Sequence, residues 1–114
     1  MEKLIYIMML SIIINIGCGQ FKEQANTQFG DQHFKTAIAL IELHKVRYNS
    51  YPESLSELKY LGKWDIIVFN SVKYTKLKNG YNLDLIKGWI GKPKKIEYPQ
   101  DFWNGLGLKN SNLK

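Results

Sequence analysis

The chain has 114 residues, of which 45% are hydrophobic and 13% aromatic, and its formal net charge is +6. These values are typical of folded proteins, and the length allows a single domain. Nearly all of the positive charge comes from lysine, which is more typical of a solvated surface than of a phosphate-reading patch. The single cysteine excludes an internal disulfide.

The N-terminal segment has the pattern of a secretory leader. Lys3 precedes an apolar stretch, Leu4 to Ile14, that is shorter than the roughly 20 residues of a membrane-spanning helix. Ile16-Gly17-Cys18 then resembles the lipobox of a bacterial lipoprotein signal peptide, with Asn15 where that pattern usually has an aliphatic residue. The resemblance implies that residues 1–17 are removed and that Cys18 becomes the lipidated first residue of the mature protein.

Lipidation at Cys18 would attach the protein to a membrane essentially permanently, since several acyl chains enter the bilayer together. Residues 18–30 are polar and rich in Gln and Asn, and we expect them to form a flexible tether. The expected location is the bacterial cell envelope, facing the periplasm or the exterior. A short uncleaved anchor with an incidental cysteine is the alternative reading of the leader.

The stretch from Asp31 to Leu61 predicts two helices joined by a turn. Asp31 is expected to cap the first helix, and apolar residues recur at helical spacing from there to Tyr48. Asn49 is expected to end this helix in a left-handed conformation, and Pro52 disfavours a helical residue before it.

Ser54 and Glu57 have capping-box spacing, which predicts a short second helix ending at Gly62. The hairpin resembles the globular part of type II secretion pseudopilins and type IV pilins. The matching residues are Ala37-Ile38, Tyr48, Tyr51-Pro52, Ser54-Leu55 and Leu58. The resemblance implies a long helix packed on an antiparallel sheet. The long hydrophobic helix that drives fibre assembly in that family is missing from the sequence, so only the fold is carried over.

The second half of the chain predicts a small antiparallel sheet. Trp64–Phe69 is a β-branched run that favours a first strand or an extended connection. Two further strands flank Asn79-Gly80, a strong hairpin signal. A two-residue turn there places Tyr74 opposite Leu85. The same register directs one face of the second strand toward the helix, namely Tyr81, Leu83 and Leu85.

These elements predict an α+β fold in which a long N-terminal helix and a short second helix pack on a small antiparallel sheet. The arrangement is pilin-like and is preceded by a signal peptide. The domain is expected to cover residues 31–108, with a short strand at Ile96–Tyr98. The polar residues 109–114 are expected to form a frayed tail.

No group of residues predicts catalysis or a metal site. His33 and His44 lie eleven positions apart, about 16 Å along a helix, which is too far to share a metal ion. No serine lies in a nucleophile-elbow motif, and the acidic residues lack the spacing of a calcium loop. We therefore expect a non-enzymatic protein without a cofactor, apart from the covalent lipid on Cys18.

The densest basic and aromatic group defines a candidate binding surface. It comprises Trp89, Lys92, Lys94, Lys95, Phe102 and Trp103. The competing interpretation is a lysine-rich loop kept soluble by its charge, with Trp89 and Trp103 packed on the domain and with Phe102, Trp103 and Leu106 closing the core. That interpretation is the favoured one.

The sequence thus predicts an envelope lipoprotein whose small domain has a binding or structural role. Its expected partners are the membrane, through the lipid, and an envelope protein. One alternative is a pseudopilin-type subunit of a secretion or pilus assembly. The other is a lipoprotein that contacts an anionic polymer or a protein partner through its basic loop, with nucleic acid the less favoured ligand.

Overall fold

The structure, a computed structural model, describes the backbone of residues 2–59, 66–93 and 95–114, with side chains from Gln20 onward within those ranges. The chain forms an α+β fold, which confirms the predicted class and the long first helix. In chain order its elements are α1 (Glu2–Tyr48), a 3-10 helix (Leu55–Glu57), α2 (Ile66–Ser71), β1 (Val72–Leu77), β2 (Gly80–Leu85), a second 3-10 helix (Gln100–Trp103) and β3 (Leu108–Asn110).

Helix α1 runs from Glu2 to Tyr48 without a break, so it includes the segment that was predicted to be a leader. Its buried side is a stripe at helical spacing formed by Ala25, Phe34, Ala37, Ile38 and Ile41. Most of a helix's stability in a protein comes from packing such a face, so α1 is held by the sheet beneath it.

The structure differs from the sequence prediction at the start of the domain. Asp31 is not an N-cap but lies inside α1, and residues 20–30 are helical where a flexible tether was expected. The physical reason is that Ala25 and Gly30 are buried against the rest of the domain. The side chains of the lipobox residues, Ile16 to Cys18, lie outside the described residues.

The end of α1 confirms the predicted stop. Asn49 has a left-handed backbone with a φ of 59°, and its N–H donates to the carbonyl of Lys45 at 2.8 Å. The predicted capping box is wrong, because Ser54 makes no side-chain capping bond and the Glu57 carboxylate accepts from the N–H of Glu53 at 3.0 Å. The second helix is therefore only one 3-10 turn here, and Gly62 lies outside the described residues.

Helix α2 begins inside the run Trp64–Phe69, for which the sequence favoured a strand or an extended connection. Val68 and Ser71, three positions apart, are buried, and the Ser71 hydroxyl donates to the Ile67 carbonyl at 2.8 Å. A short apolar run fits either a strand or a buried helix, so packing against α1 decides the outcome. The first two residues of the run, 64 and 65, lie outside the described residues.

The described strands form one three-stranded sheet in the order β1-β2-β3. β1 runs antiparallel to β2, whereas β3 runs parallel to it, so the sheet is mixed and not antiparallel as predicted. The predicted core face is confirmed: Tyr81, Leu83 and Leu85 are buried and belong to the same cluster as Phe34 and Ile41 of α1.

The register of the hairpin differs from the prediction by two residues. Tyr74 pairs with Leu83, and the turn consists of Lys78 and Asn79. Because the displacement is even, every side chain keeps its predicted face. Gly80 serves a close approach: the N–H of Tyr81 donates to the carbonyl of Gly107 at 2.9 Å, and a Cβ at Gly80 would overlap that oxygen.

The C-terminal segment is ordered by β3 and by Asn112. The side-chain amide of Asn112 accepts from the N–H of Leu85 and donates to its carbonyl, both at 2.9 Å. The prediction of a frayed tail over residues 109–114 is therefore wrong. The strand expected at Ile96–Tyr98 is also wrong, since those residues have no regular secondary structure.

Candidate functional site

Two members of the candidate binding surface belong to an aromatic cluster on α1. Trp103 is buried at 7% exposure, and its ring meets Phe34 edge-on at 6.1 Å between centroids. Phe102 is half-buried and stacks on Tyr98 at 4.1 Å. The side chain of Trp103 is therefore part of the core, as the favoured interpretation of the sequence expected. The same interpretation was wrong for Trp89, whose side chain is 45% exposed.

The lysines of the candidate surface lie on the solvent side of this cluster. Lys92 and Lys95 are exposed and line a groove of about 480 Å³ together with Trp103 and Lys114. Lys95 also forms an exposed ion pair with Glu97 at 3.4 Å. Exposed ion pairs of this kind contribute little to stability. The ammonium groups of Lys92 and Lys95 are accessible because both side chains are exposed. Lys94 lies outside the described residues.

Trp89 lies apart from those lysines, in a tight turn of Gly88, Trp89, Ile90 and Gly91 that we call the Trp89 loop. The N–H of Gly88 donates to the carbonyl of Gly91 at 2.8 Å, which closes the turn. The loop rests directly on α1, because a Cβ at Gly88 would overlap the backbone of Asn26.

A single side chain of α1 holds the Trp89 loop. The amide oxygen of Asn26 accepts three backbone N–H groups, from Trp89 at 3.0 Å, Ile90 at 2.8 Å and Gly91 at 3.2 Å. Three donors on one oxygen fix the direction of the loop relative to the helix.

The fixed loop and the neighbouring part of α1 together expose three large apolar side chains to solvent. Phe21 is 64% exposed, Trp89 45% and Ile90 55%. The rings of Phe21 and Trp89 contact each other edge-on, with centroids 6.2 Å apart. We call these three side chains the aromatic edge. Their contact with each other covers only part of their surface, and large exposed apolar groups in one place mark interaction sites.

Beside the aromatic edge is a groove of about 620 Å³ between α1, α2 and the Trp89 loop. It is lined by Phe29 and His33 from α1, Ile67 from α2, and Trp89. Burial lowers the pKa of His33, because the charged imidazolium loses hydration there. His33 packs against Phe29, with ring centroids 6.1 Å apart, so the imidazole belongs to the wall of the groove.

A polar group of a different kind joins α1 to the sheet at Glu42. Its carboxylate accepts from the Tyr81 hydroxyl at 2.9 Å, the Tyr51 hydroxyl at 3.1 Å and the N–H of Gly107 at 2.8 Å. Burial, followed by the hydrogen bond to this carboxylate, raises the pKa of Tyr51 to about 12. All three hydrogen-bond donors to this carboxylate belong to the same folded chain, so we assign Glu42 a structural role.

The sequence identified Trp89 but missed Phe21, Asn26 and Glu42. Phe21 and Asn26 lie in the segment that was expected to be a flexible tether. A single phenylalanine and a single asparagine in such a segment do not predict a contact with a distant loop. Glu42 lies within the predicted first helix, and only its long-range hydrogen bond to Tyr81 of β2 reveals its role.

Within the part of the chain whose side chains are described, no group of three or more His, Cys, Asp or Glu residues could hold a metal ion. From Gln20 onward, where side chains are described, no helix is both long and apolar enough to cross a membrane. The sequence matches no family model, and comparisons with curated proteins and with solved structures also find no match.

Proposed function

We propose that this protein is a membrane-anchored envelope lipoprotein without enzymatic activity, whose small domain binds a partner or plays a structural role at the membrane surface. The proposal rests on one sequence feature, the Ile16-Gly17-Cys18 motif after a charged and then apolar leader. We propose no cofactor for it besides the covalent lipid on Cys18.

The course of α1 supports a close association between the domain and the anchor. The first buried side chain of the described helix, Ala25, comes only seven residues after Cys18, about 10 Å of helical rise. A helix that begins at the anchor and packs against the core further along would hold the domain at a fixed short distance. A flexible tether would not do so.

Metabolic labelling with a fatty-acid analogue tests the anchor. The wild-type chain and a Cys18→Ala variant are expressed in a bacterial host, and Ser50→Cys in the Cys18→Ala background controls for nonspecific thiol acylation. Label on the wild type alone is the expected result. Absence of label on an intact, membrane-bound wild-type chain would overturn the lipoprotein assignment.

A second candidate function is a pseudopilin-type subunit of a secretion or pilus assembly. The observation that favours it is the continuity of α1 through residues 2–48, with a sheet packed on its C-terminal half. A long helix packed on a sheet is also what the sequence resemblance at Tyr51-Pro52 and Ser54-Leu55 implies.

Crosslinking between copies of α1 distinguishes this second candidate. Ala39 is exposed on the helix, so an Ala39→Cys variant reports on neighbouring helices, and Ser50→Cys beyond the helix end serves as the matched control. A ladder of linked species from Ala39→Cys alone would support assembly through α1. A monomer band from both variants in intact cells would dismiss it.

A further inference from the structure

We propose that the aromatic edge, Phe21, Trp89 and Ile90, is a membrane-contact surface that inserts into the interfacial layer of an anionic bilayer beside the anchor. This inference rests on the proposed attachment through Cys18. It adds a second contact with the membrane besides the lipid on Cys18. The two contacts together would fix the orientation of the domain relative to the bilayer.

The order of contacts along α1 places this edge at the end of the domain nearest Cys18. Phe21 touches Trp89, and Asn26 holds the Trp89 loop, whereas the contact of α1 with Tyr81 comes much later, at Glu42. With about 1.5 Å of rise per residue, Asn26 lies about 12 Å beyond Cys18 and Glu42 about 36 Å. The Trp89 loop is therefore proximal to the anchor, and the end of β2 that carries Tyr81 is distal.

That distance fits the dimensions of a bilayer surface. The polar interfacial layer on each side of the hydrocarbon core is about 5–8 Å thick, and interfacial helices bury their apolar face about 5–10 Å deep. Acyl chains on Cys18 would begin in that layer. Phe21, three residues further on, would lie within about 5 Å of it along the helix.

The chemistry of the edge matches the interface rather than an aqueous loop. Tryptophan is enriched where the hydrocarbon meets the headgroups, because its ring is apolar and its N–H can remain hydrated. A soluble loop gains nothing from exposing Trp89 and Ile90 side by side. At a membrane, the same two side chains would be buried without any change in the fold.

The charges around the edge favour anionic lipid over a neutral surface. Lys22 follows Phe21 directly, and Lys87 lines the same groove as Trp89; both lysines are exposed, as is the carboxylate of Glu23. Lysines next to an anionic headgroup layer are attracted to it, and the attraction declines within about a Debye length. The lysines thus lie where the apolar edge would bring them into that range.

The loop is also stiff enough to act as an insertion element. Its three N–H groups are bound to Asn26 and its glycine rests on the α1 backbone. A preformed loop loses little conformational freedom on binding, so the contact need not order a flexible segment first.

The test uses the full-length protein reconstituted in vesicles of phosphatidylglycerol and phosphatidylethanolamine that carry acyl-chain-brominated lipid. Bromine quenches tryptophan fluorescence only at short range, so it reports insertion. The chain has three tryptophans, and a Trp89→Phe variant removes the one on the edge. We expect quenching of the wild type and loss of the quenched component in Trp89→Phe.

Two companion variants define the contribution of charge and control for folding. Lys22→Gln with Lys87→Gln should reduce quenching in anionic vesicles and leave it unchanged in phosphatidylcholine. Ile86→Ser, outside the edge but equally exposed, should quench like the wild type. Circular dichroism on each variant excludes unfolding as the cause of a lost signal.

The outcomes separate this inference from the anchor on which it rests. Labelled protein without any Trp89-dependent quenching would overturn the membrane-contact surface and leave the lipoprotein assignment intact. Quenching of Trp89 in a protein that carries no fatty-acid label would overturn the lipid anchor and support the edge. A Trp89→Phe variant that changes oligomeric state without quenching in the wild type would overturn the inference in favour of a protein contact.

Discussion

Glu42 of α1 and Tyr81 of β2 are joined across the helix–sheet interface by a hydrogen bond of 2.9 Å between carboxylate and hydroxyl. Tyr81 is fully buried, and the same carboxylate oxygen also accepts the N–H of Gly107. One side chain thereby fixes the register of α1 against the sheet and the position of the segment that leads into β3.

Replacing Glu42 by Ala should destabilise the fold by about 2–4 kcal/mol. Hydrogen bonds to charged groups contribute about 1.5–3 kcal/mol each, and the three donors lost here are not additive. Glu42→Gln should cost less, because its amide oxygen can still accept. Urea unfolding of the full chain in mild detergent measures both. Glu23→Ala, an exposed carboxylate on the same helix, should change the unfolding midpoint little, and equal effects of Glu23→Ala and Glu42→Ala would contradict a specific role.

The faces of the hairpin were predictable from the sequence, while its register was not. Alternation of Tyr81, Leu83 and Leu85 fixes which side chains face α1, since the side-chain period in a strand is two. The position of the turn depends on Gly107. Its carbonyl oxygen approaches β2 so closely that only glycine fits at position 80, which therefore lies inside the strand and not in the turn. A residue so distant in the chain gives no local signal, so Asn79-Gly80 alone predicted the wrong turn.

The helical state of residues 20–30 could not be predicted from the sequence either, because residues distant in the chain determine it. Their composition is polar, which is typical of a tether, yet the contacts that order Asn26 come from residues 63 to 65 positions further along the chain. By contrast, the stop at Asn49 was predicted correctly because left-handed Asn and the following Pro52 act locally.

Asn26→Ala should release the Trp89 loop without unfolding the domain. Losing the shared acceptor removes about 1–1.5 kcal/mol from each protected amide, which corresponds to roughly tenfold faster hydrogen exchange at residues 89–91. Exchange followed by mass spectrometry on the full chain measures this. Gln24→Ala, two positions away and exposed, is the matched control. Unchanged exchange at residues 89–91 in Asn26→Ala would show that Asn26 does not hold the loop.

Asn112→Ala should destabilise the C-terminal segment and, through it, the C-terminal end of β2. Its amide makes two bonds to Leu85 in the manner of a neighbouring strand, so about 1–3 kcal/mol of unfolding free energy should be lost. Urea unfolding compares it with Asn104→Ala, an exposed asparagine at the end of the second 3-10 helix. If deletion of residues 109–114 left stability unchanged, the segment would be frayed after all.

Alkaline pH should unfold the protein, because the folded state keeps phenolic protons that the unfolded chain releases. Burial, followed by the charge of Glu53, raises the pKa of Tyr74 to about 12, and burial with Glu42 does the same for Tyr51. A group whose pKa is raised on folding contributes stability that is complete below its unfolded pKa of about 10 and declines as pH rises toward 12.

Tyr74→Phe removes one such proton, so its unfolding free energy should fall less steeply between pH 10 and about 12 than that of the wild type. Urea titrations at several pH values measure the slope, and lysine deprotonation is common to all variants and cancels in the comparison. Parallel curves for Tyr74→Phe and the wild type would mean that the Tyr74 hydroxyl, which donates to the Pro52 carbonyl, ionises as readily in the folded chain as in the unfolded one.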